Sequence, residues 1–593
     1  MKLLRKDTTA APTSGAAGAG AAGNAGEKDI GVLPGGRRLG ELLVEARLIR
    51  PPQVAAALVQ QDGGDKRLGT LLVELGALGE RDLTRILAEQ LALEVADLRS
   101  EAADQQALDL LPESVARSLS ALPLRLADGR VQVVVADPSA ALEQRLAATM
   151  GHPVELLLAP ASEVRRAIDN SYRALGGVDR LVQAFEAGEA SRARAQAVVQ
   201  PAEVSTDAPV VQVANLVITQ ALRDRASDIH IEPQDDLLRV RFRIDGALHD
   251  TLALPASIAP ALVSRLKIMA GMNIVERRRS QDGQIAMEVD GRSIDIRVAT
   301  TATIWGEKCV LRLLDKSRAL YRLHDLGMPS DTHATFSKMV RSPFGMILCA
   351  GPTGSGKTTT LYATLAEINE PHRNIMTIED PVEYVIPSIN QIQTNEQAGL
   401  TFATGLKSIL RQDPDVILVG EIRDVETARI AVQSALTGHL VLSSLHATDS
   451  VSALHRFLDM GIESFLIASS VLGVVGQRLV RRICPSCRAL ERPSDEELAF
   501  WLEGGGSPDK KRFYVGKGCN LCAGTGYQDR VGVYEFLRIT PEIKRLVVGW
   551  AMQEELQRLA VSQGMRTLRQ EAMSLVQQDV TTIAEVIRSI YGL

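Results

Sequence analysis

The chain has 593 residues, enough for about four domains of roughly 150 residues each, so one site need not account for all of it. The formal net charge is -6, and basic residues are scattered among acidic ones. This distribution gives no positive potential that would bind the phosphate backbone of a nucleic acid, so no nucleic-acid partner is expected. No stretch reaches the roughly 18 apolar residues of a membrane span, and no signal peptide follows the basic first residues, so a cytoplasmic location is expected.

The N-terminal region combines a low-complexity tail with an internal repeat. Residues 1–35 are rich in Ala, Gly, Ser and Thr, which predicts a disordered tail. The stretches RLGELLVEARLIRPPQVAAALVQQ (38–61) and RLGTLLVELGALGERDLTRILAEQ (67–90) match each other without a gap. In each copy apolar residues recur at intervals of three and four, the spacing of an amphipathic helix. We therefore predict a duplicated helical domain over residues 36–98.

Two segments separate this repeat from the larger C-terminal region. Residues 99–175 alternate between helical and strand patterns, with RVQVVVADP the clearest strand, and predict a small α/β module. Residues 176–206 lose their apolar periodicity and become rich in Ala, Glu, Arg and Gln, which is typical of an interdomain linker.

The C-terminal region is predicted to have four consecutive parts. Residues 207–325 contain one helix followed by strands bounded by DG turns, which predicts an α+β domain. Residues 326–480 alternate continuous apolar strands with helices, the pattern of a parallel sheet covered on both faces. A cysteine-bearing insert over 481–530 and a helical segment over 531–593 complete the chain. The fold class is therefore α/β.

The stretch CAGPTGSGKTTTLYA fits the phosphate-binding loop of nucleotide hydrolases. An apolar strand precedes it and a helical segment follows, so that backbone N–H groups and the helix N-terminus can face phosphates. Lys357 is expected to reach the β and γ phosphates of ATP, and the Thr358 hydroxyl to ligate Mg²⁺. The predicted nucleotide-binding residues of this loop are Gly351, Thr353, Gly354, Ser355, Gly356, Lys357, Thr358 and Thr359.

Two acidic motifs follow the loop. In DVILVGEIRD a buried strand ends at Glu421, which places an acid at the carboxyl edge of the sheet, where ligands bind in such folds. We predict that Glu421 belongs to the Mg²⁺ shell. The cluster TIEDPVEY offers Glu379, Asp380 and Glu383 after another apolar strand, and we predict Glu383 as the base that orients the attacking water.

The order GPTGSGKTTT, TIEDPVE, DPDVILVGEIRD and TGHLVLSSLHATDS resembles the secretion ATPases of type II secretion and type IV pilus systems, from about residue 205 to the end. The resemblance implies a RecA-like P-loop core, with Glu383 as general base and Glu421 as the metal-side acid. It also implies that His439 and His446 are paired histidines that sense the γ-phosphate. Taken alone, a histidine is more often a satisfied core or surface group.

The same resemblance implies that the domain before the motor supplies arginines to the nucleotide. The matching positions are Arg241 and Arg243 in RVRFRIDG and Arg297 in IDIRVAT, although alternating arginines on a strand could equally line a solvated face. Gln284 departs from the family pattern, which usually has a basic residue there.

The resemblance also implies a quaternary structure and partners. Arginines supplied from a neighbouring subunit imply a ring, a hexamer, in which the two C-terminal domains move on ATP hydrolysis. The expected partners are an inner-membrane platform and cytoplasmic adaptor proteins, which would hold the protein at the membrane periphery.

Four of the six cysteines form two CxxC pairs. In a reducing compartment such pairs indicate metal rather than disulfides, and four thiolates make a closed, structural zinc site. A tetracysteine insert at this position resembles the assembly and secretion branch of the family. The predicted ligands are Cys484, Cys487, Cys519 and Cys522, whereas Cys309 and Cys349 lie in apolar strands and are predicted to be core residues.

The duplicated unit resembles the cyclic di-GMP-binding N-terminal domain found on some of these ATPases. A ligand with two equivalent halves suits two equivalent loops. The first copy departs at Arg47, where the second copy and the family pattern have glycine, here Gly76. The alternative is a helical adaptor that packs on its own repeat. The implied ligand contacts are Arg38, Leu39, Gly40, Leu43, Val44, Arg67, Leu68, Gly69, Leu72 and Val73.

Three functions remain for comparison. The favoured one is an ATPase whose product is motion, powering protein export or pilus extension, which the sequence does not distinguish. A regulatory adaptor that binds ATP and cyclic di-GMP with little turnover is disfavoured because Glu383 and Glu421 are both present. A helicase is disfavoured by the acidic charge balance.

Overall fold

The computed structural model describes residues 39–61, 66–194, 208–315 and 321–591. The predicted tail and residues 195–206 of the predicted linker lie outside these ranges. The chain divides into two compact units, Met1–Val95 and Ala96–Leu593. In neither unit does a described helix have the length and apolar character needed to cross a membrane.

The first unit contains two helix pairs, one for each copy of the repeat. Its helices are α1 (Leu39–Glu45), α2 (Pro51–Gln61), α3 (Leu68–Glu74) and α4 (Glu80–Leu91). Equivalent positions of the copies fill one shared core, since Leu43 and Leu72 are fully buried and Ile49 and Leu78 are buried beside them. The repeat thus folds by packing its two copies on each other.

The glycine of each copy lies where two helices come close. A Cβ built on Gly40 would lie 3.1 Å from Val54 Cγ1 and 3.7 Å from Leu68 Cδ2 of the second copy. A Cβ on Gly69 would lie 2.9 Å from Leu83 Cδ1, and Leu83 is the repeat equivalent of Val54. Both glycines are therefore required by helix packing, whatever the unit binds.

The second unit begins with the predicted α/β module. Strand β2 pairs antiparallel with β1 and parallel with β3, and the helices cover this small sheet. The stretch RVQVVV forms β2, as predicted. The elements of the module are α5 (Gln105–Leu108), α6 (Glu113–Leu119), β1 (Ala121–Ala127), β2 (Arg130–Val135), α7 (Ala140–Met150), β3 (Val154–Leu158) and α8 (Ala161–Ser171).

The predicted linker is corrected over much of its length. Residues Val178–Arg194 form a helix, α9, and Val178 and Val182 are buried in the core of the following domain. Because they are four residues apart, these two valines lie on one side of the helix and form a short apolar stripe. The high content of Ala, Glu, Arg and Gln in this segment does not reveal that stripe. The helix therefore belongs to the α+β domain.

The α+β domain is an antiparallel sheet with helices on one face. The strands lie in the order β6-β5-β4-β9-β8-β7. Apolar side chains of the helices and of one sheet face form a common core, and the other face carries alternating charged residues. Its elements are α10 (Pro209–Arg223), β4 (Asp228–Pro233), β5 (Leu237–Ile244), β6 (Ala247–Pro255), α11 (Ala259–Met269), β7 (Gln281–Val289), β8 (Arg292–Thr303) and β9 (Gly306–Asp315).

The motor domain is built on a seven-stranded sheet in the order β12-β11-β13-β14-β10-β15-β18. All neighbours are parallel except β15 and β18, and helices cover both faces, which confirms the predicted layered α/β core. Its elements up to β15 are α12 (Ser330–Met339), β10 (Gly345–Ala350), α13 (Lys357–Ile368), β11 (Ile375–Glu379), β12 (Asn390–Gln393), α14 (Phe402–Ile409), β13 (Val416–Val419), α15 (Val425–Leu436), β14 (Leu440–Leu445), α16 (Ser450–Asp459), α17 (Ser464–Ser470) and β15 (Val471–Ile483).

The cysteine insert interrupts an antiparallel strand pair. Strand β15 ends at Ile483, opposite Tyr527, where its partner β18 begins. The predicted C-terminal segment is therefore not wholly helical, because β18 is the edge strand of the motor sheet. The remaining elements are β16 (Arg488–Glu491), α18 (Asp495–Glu503), β17 (Phe513–Gly516), β18 (Tyr527–Arg538), α19 (Pro541–Val548), α20 (Gln553–Ser562), α21 (Leu568–Gln577) and α22 (Ile583–Val586).

The turn between α1 and α2 contains a strained residue that can be tested. Arg47 has φ of 57° and its equivalent Gly76 has φ of 67°, so both copies use the left-handed region. Since this region costs an L-residue about 1 kcal/mol, we expect Arg47→Gly to stabilise the unit by roughly 0.5–1 kcal/mol. Hydrogen exchange of the α1 and α2 amides measures the change. Ala46→Gly, at the neighbouring position, is the control and should not stabilise the unit. If both substitutions changed the exchange rates equally, the left-handed conformation of Arg47 would not be the source of strain.

Candidate functional site

The phosphate-binding loop joins β10 to α13, as predicted. Gly354 and Gly356 have φ of 78° and 88°, a conformation that favours glycine. The Lys357 ammonium group donates to the carbonyl oxygens of Gly351 at 2.8 Å and Pro352 at 3.0 Å. Burial lowers the pKa of Lys357, and the negative charge of Glu421 opposes this shift. The lysine and the predicted metal-side acid therefore share one electrostatic environment.

Strand β15 forms a wall behind the loop that sequence reasoning missed. A Cβ on Gly351 would lie 2.6 Å from the Gln477 carbonyl oxygen, and one on Gly356 would lie 2.8 Å from Gln477 Nε2. The Thr360 hydroxyl donates to Gln477 Oε1 at 2.9 Å, which fixes the carboxamide. The loop glycines are thus required both by the φ angles of the loop and by its contact with β15.

The loop and the adjoining strand β15 present polar groups suited to an anion. The Ser355 hydroxyl and Arg478 Nε are buried and have no hydrogen-bond partner in the described part of the chain. Unpaired buried polar groups are costly unless a ligand satisfies them. Together with Lys357, these groups fit a bound polyphosphate.

Glu421 lies at the carboxyl end of β13, beside the end of β14. Its carboxylate is 3.3 Å from His446 Nε2 and forms an ion pair with Arg423. Arg423 also lies 3.8 Å from Asp380, in the loop after β11. A Cβ on Gly420 would lie 3.3 Å from Glu379 Cα, so glycine permits the close approach of these strand ends. The site brings Glu421 and His446 together, and Arg423 was not predicted.

The acidic cluster after β11 divides into a structural residue and a site residue. The Glu379 carboxylate is buried and accepts hydrogen bonds from the hydroxyls of Tyr362 and Thr377, the latter at 2.6 Å. The Tyr362 hydroxyl also accepts a hydrogen bond from the Glu383 backbone N–H at 3.2 Å. Glu379 therefore anchors the loop that carries Glu383.

The environment of Glu383 raises the pKa of its carboxyl group. Burial is the main cause, and the charge of Glu379 adds to it, whereas Arg297 and Arg312 oppose the shift. A carboxyl group with a raised pKa is a stronger proton acceptor when ionised, which suits a general base. Arg297 belongs to the α+β domain, so the two C-terminal domains contribute charges to the same site.

The predicted arginines do not all reach this site. Burial lowers the pKa of Arg297, which faces the site, and the charges of Asp380 and Glu383 oppose this shift. The charge of Arg312, which sequence reasoning missed, also opposes the rise in the pKa of Glu383, although Arg312 donates to Asp228 at 3.1 Å within its own sheet. Arg241 instead forms a two-fold hydrogen bond with Glu232 at 2.8 and 3.0 Å.

Arg243 is likewise engaged within its own sheet. It lies 3.6 Å from Asp228 and donates to the Gly246 carbonyl oxygen at 3.0 Å. Gln284, the departure from the family pattern, stands opposite Arg297 in the β7–β8 pair. Arg241 and Arg243 are therefore charge-paired with their own domain.

The predicted pairing of His439 with His446 is corrected. His439 precedes β14 and His446 follows it, so the two rings lie at opposite ends of a strand that spans roughly 20 Å at about 3.3 Å per residue. The His439 carbonyl oxygen accepts from Gly345 N–H at the start of β10, the end remote from the phosphate loop. Both histidines cannot contact one γ-phosphate within this chain.

The four predicted zinc ligands converge at the base of the insert. Their sulfur atoms all lie within 4.8 Å of one another, with separations of 3.9 Å (Cys484–Cys519), 3.9 Å (Cys487–Cys522) and 3.7 Å (Cys519–Cys522). A tetrahedral ion bound by sulfurs at about 2.3 Å separates those sulfurs by about 3.8 Å. The cluster therefore fits zinc. Cys309 and Cys349 are buried, and burial raises the pKa of each thiol to about 12, consistent with their predicted core role.

The predicted ligand residues of the repeat divide into core and surface positions. Leu43 and Leu72 are fully buried, so their side chains are not available to a ligand, which corrects that prediction. Arg67 is exposed at the start of α3, and Val44 and Val73 are half-buried. Arg38 lies outside the described residues.

Sequence comparisons give the family. The family model described as "Type II/IV secretion system protein" matches residues 203–588, and the model described as "MshEN domain" matches residues 91–178. The second match falls on the α/β module, whereas the resemblance to a cyclic di-GMP-binding domain was placed on the preceding repeat.

Three curated relatives are similar over most of their length. The type IV pilus assembly ATPase PilB of Myxococcus xanthus is 40% identical over 557 residues, covering 93% of this chain and 98% of the relative. Type II secretion system protein E of Xanthomonas campestris pv. campestris is 40% identical over 560 residues, with coverage of 93% and 98%. Type II secretion system protein HxcR of Pseudomonas aeruginosa is 49% identical over 381 residues, with coverage of 64% and 77%.

The charges around Glu383 predict a pH dependence. Because its pKa is raised, we expect ATP hydrolysis to fall on acidification at a pH above the usual range of a glutamate. Arg297 lowers this pKa, so Arg297→Gln should move the acidic limb of kcat/KM to higher pH. Arg239→Gln, whose partner is the exposed Asp250, should leave the limb in place. An unmoved limb in Arg297→Gln would refute the assignment.

Proposed function

We propose that this chain, which belongs to the type II/IV secretion system protein family, hydrolyses ATP to drive motion between its two C-terminal domains, and thereby powers protein export or pilus assembly. Curated relatives from both kinds of machine support it. The observation that carries the proposal is that Arg297, from the α+β domain, and Glu383 of the motor act on each other electrostatically, each shifting the pKa of the other.

The motor residues have distinct roles in this proposal. Lys357 would bind the β and γ phosphates once it leaves the carbonyl oxygens of the loop. The Thr358 hydroxyl and the Glu421 carboxylate would hold Mg²⁺ through hard oxygen donors, and the bound ion would supply positive charge opposite the phosphates. His446, whose Nε2 lies 3.3 Å from the Glu421 carboxylate, would respond to the γ-phosphate.

Glu383 would accept the proton of the attacking water, because its raised pKa keeps it basic and Tyr362 holds its loop in place. Arg297 would stabilise negative charge on the transferred phosphoryl group. When the phosphate product leaves, the negative charge that attracted Arg297 is lost. The proposed motion is the resulting separation and return of the two domains.

We also propose the assembly and location of the motor. Family resemblance supports a hexameric ring in which arginines such as Arg241 and Arg243 exchange their present carboxylate partners for the nucleotide of a neighbouring subunit. The proposed location is cytoplasmic, held at the inner membrane by a platform protein and adaptor proteins. The proposed domain limits are those of the sequence analysis, with α9 and β18 reassigned as above.

Cyclic di-GMP is the proposed ligand of the N-terminal repeat. Two copies that pack on each other with equivalent cores suit a ligand of two equivalent halves. The exposed Arg67 would contact guanine or phosphate. The adjacent MshEN match supports a regulatory role for this end of the chain.

The ATPase proposal is tested by removing the predicted base. We expect Glu383→Gln to lower kcat for ATP hydrolysis by at least roughly 100-fold, while ATP affinity changes little because the phosphate loop is intact. Glu396→Gln, an exposed acid of the same domain, should behave as wild type. Steady-state phosphate release measures this. Wild type that turns over no faster than Glu383→Gln would instead indicate a nucleotide-gated adaptor.

The ligand proposal is tested by calorimetry with cyclic di-GMP. Arg67→Ala should weaken binding at least about tenfold because a charge-assisted contact is lost. Arg85→Ala removes another exposed arginine of the second copy, one paired with Asp82, and should leave affinity unchanged. Absence of binding heat in wild type, or equal weakening by both changes, would rule out the assigned site.

A further inference from the structure

The turn between Cys519 and Cys522 enters the core of the α/β module. Leu521, one of the two residues between these cysteines, is 5% exposed and belongs to the hydrophobic cluster of the module. Among the described residues, every other buried member of that cluster lies between Ala96 and Ile168. The cysteine insert therefore completes a core that the module does not fill by itself. We call Asn520 and Leu521 the docking turn.

Asn520, the residue before Leu521, forms three hydrogen bonds with the module. Its backbone N–H donates to the Arg99 carbonyl oxygen at 3.4 Å, and its side-chain amide donates to the Glu101 carbonyl oxygen at 3.2 Å. In return the Asn170 side chain, in α8, donates to the Asn520 carbonyl oxygen at 2.5 Å. These contacts fix the orientation in which Leu521 enters the module.

Ion pairs continue the junction beyond the second cysteine pair. Asp529 lies 2.8 Å from Arg225 of the α+β domain and 3.8 Å from Arg166 of the module. Arg530 lies 3.5 Å from Asp245 of the α+β domain. Because these groups are partly exposed, their pairing adds little stability and mainly sets geometry. Burial of Leu521 is the apolar contact of this junction, and elsewhere the module is joined to the α+β domain, where Arg223 lies 2.7 Å from Glu113.

The docking turn has little freedom when both flanking cysteines bind one ion. Only two residues separate Cys519 from Cys522, and both sulfurs would be ligands of the same tetrahedral site. The Cys522 sulfur also accepts hydrogen bonds from the N–H groups of Cys519 at 3.2 Å and Gly526 at 3.3 Å. The shape of the turn is thus tied to the thiolate cluster.

We propose that zinc held by the four cysteines keeps the docking turn in the shape that seats the 96–171 module on the cysteine insert, so that metal loading decides whether the module stays docked there. The occupant of the surface around Leu521 is this chain's own module. The inference rests on the proposed zinc site and is independent of ATP hydrolysis.

The experiment measures zinc content and module attachment in the full-length protein. Elemental analysis gives zinc per chain, and hydrogen exchange of α8, which carries Asn170, reports attachment. Leu521→Ala should retain zinc but raise α8 exchange roughly 30-fold, the effect of one buried leucine. Chelator-treated wild type should lose zinc and show the same rise. Protection of β2, in the middle of the module sheet, should persist in both, which shows that the module remains folded.

Leu490→Ala is the matched control, since Leu490 is an exposed leucine of the same insert, and it should change neither reading. If chelation removes the zinc while α8 exchange stays at the wild-type rate, the proposal is overturned although the zinc site stands. If purified wild type carries no zinc, both the zinc site and the proposal are overturned. A rise in α8 exchange in Leu521→Ala would then show that the module docks through Leu521 without metal. If β2 exchange rises together with α8, the module has unfolded rather than detached, which also overturns the proposal.

Discussion

The packing of β15 beside β10 is the contact on which the other features depend. Gln477 of β15 lies against the phosphate-binding loop, and Cys484 follows the end of the same strand. The antiparallel partner β18 returns from the second cysteine pair. One strand pair therefore connects the nucleotide loop to the metal cluster.

The charges of the site are arranged across a domain boundary. Glu421, His446 and Arg423 come from the motor, and Arg297 and Arg312 from the antiparallel sheet of the preceding domain. Within each domain most charges are paired, as Arg241 is with Glu232. In the proposed mechanism a nucleotide bound here would add its charge to these groups at the domain boundary, and loss of that charge after hydrolysis would alter their balance.

The described part of Ala96–Leu593 also shows how an accessory module can be attached to such a motor. The α/β module shares a hydrophobic core with Leu521, and its polar contacts to Asn520 are few and specific. A small buried apolar contact gives an attachment strong enough to persist and weak enough to be released. In this proposal the attachment depends on the two-residue turn between Cys519 and Cys522, so the insert has a role beyond its own local stability.

Local pattern determined much of this protein. Glycine spacing and the strand–loop–helix context predicted the phosphate loop, the CxxC pairs predicted the cluster, and periodicity predicted the repeat, since each depends on residues close in sequence. Tertiary structure alone decided that His439 lies at the far end of β14, that Leu43 and Leu72 are core, and that Arg423, Gln477 and Leu521 contact their partners. The physical reason is that these contacts join strands and modules up to hundreds of residues apart, and strand order within a sheet is not written in any one segment.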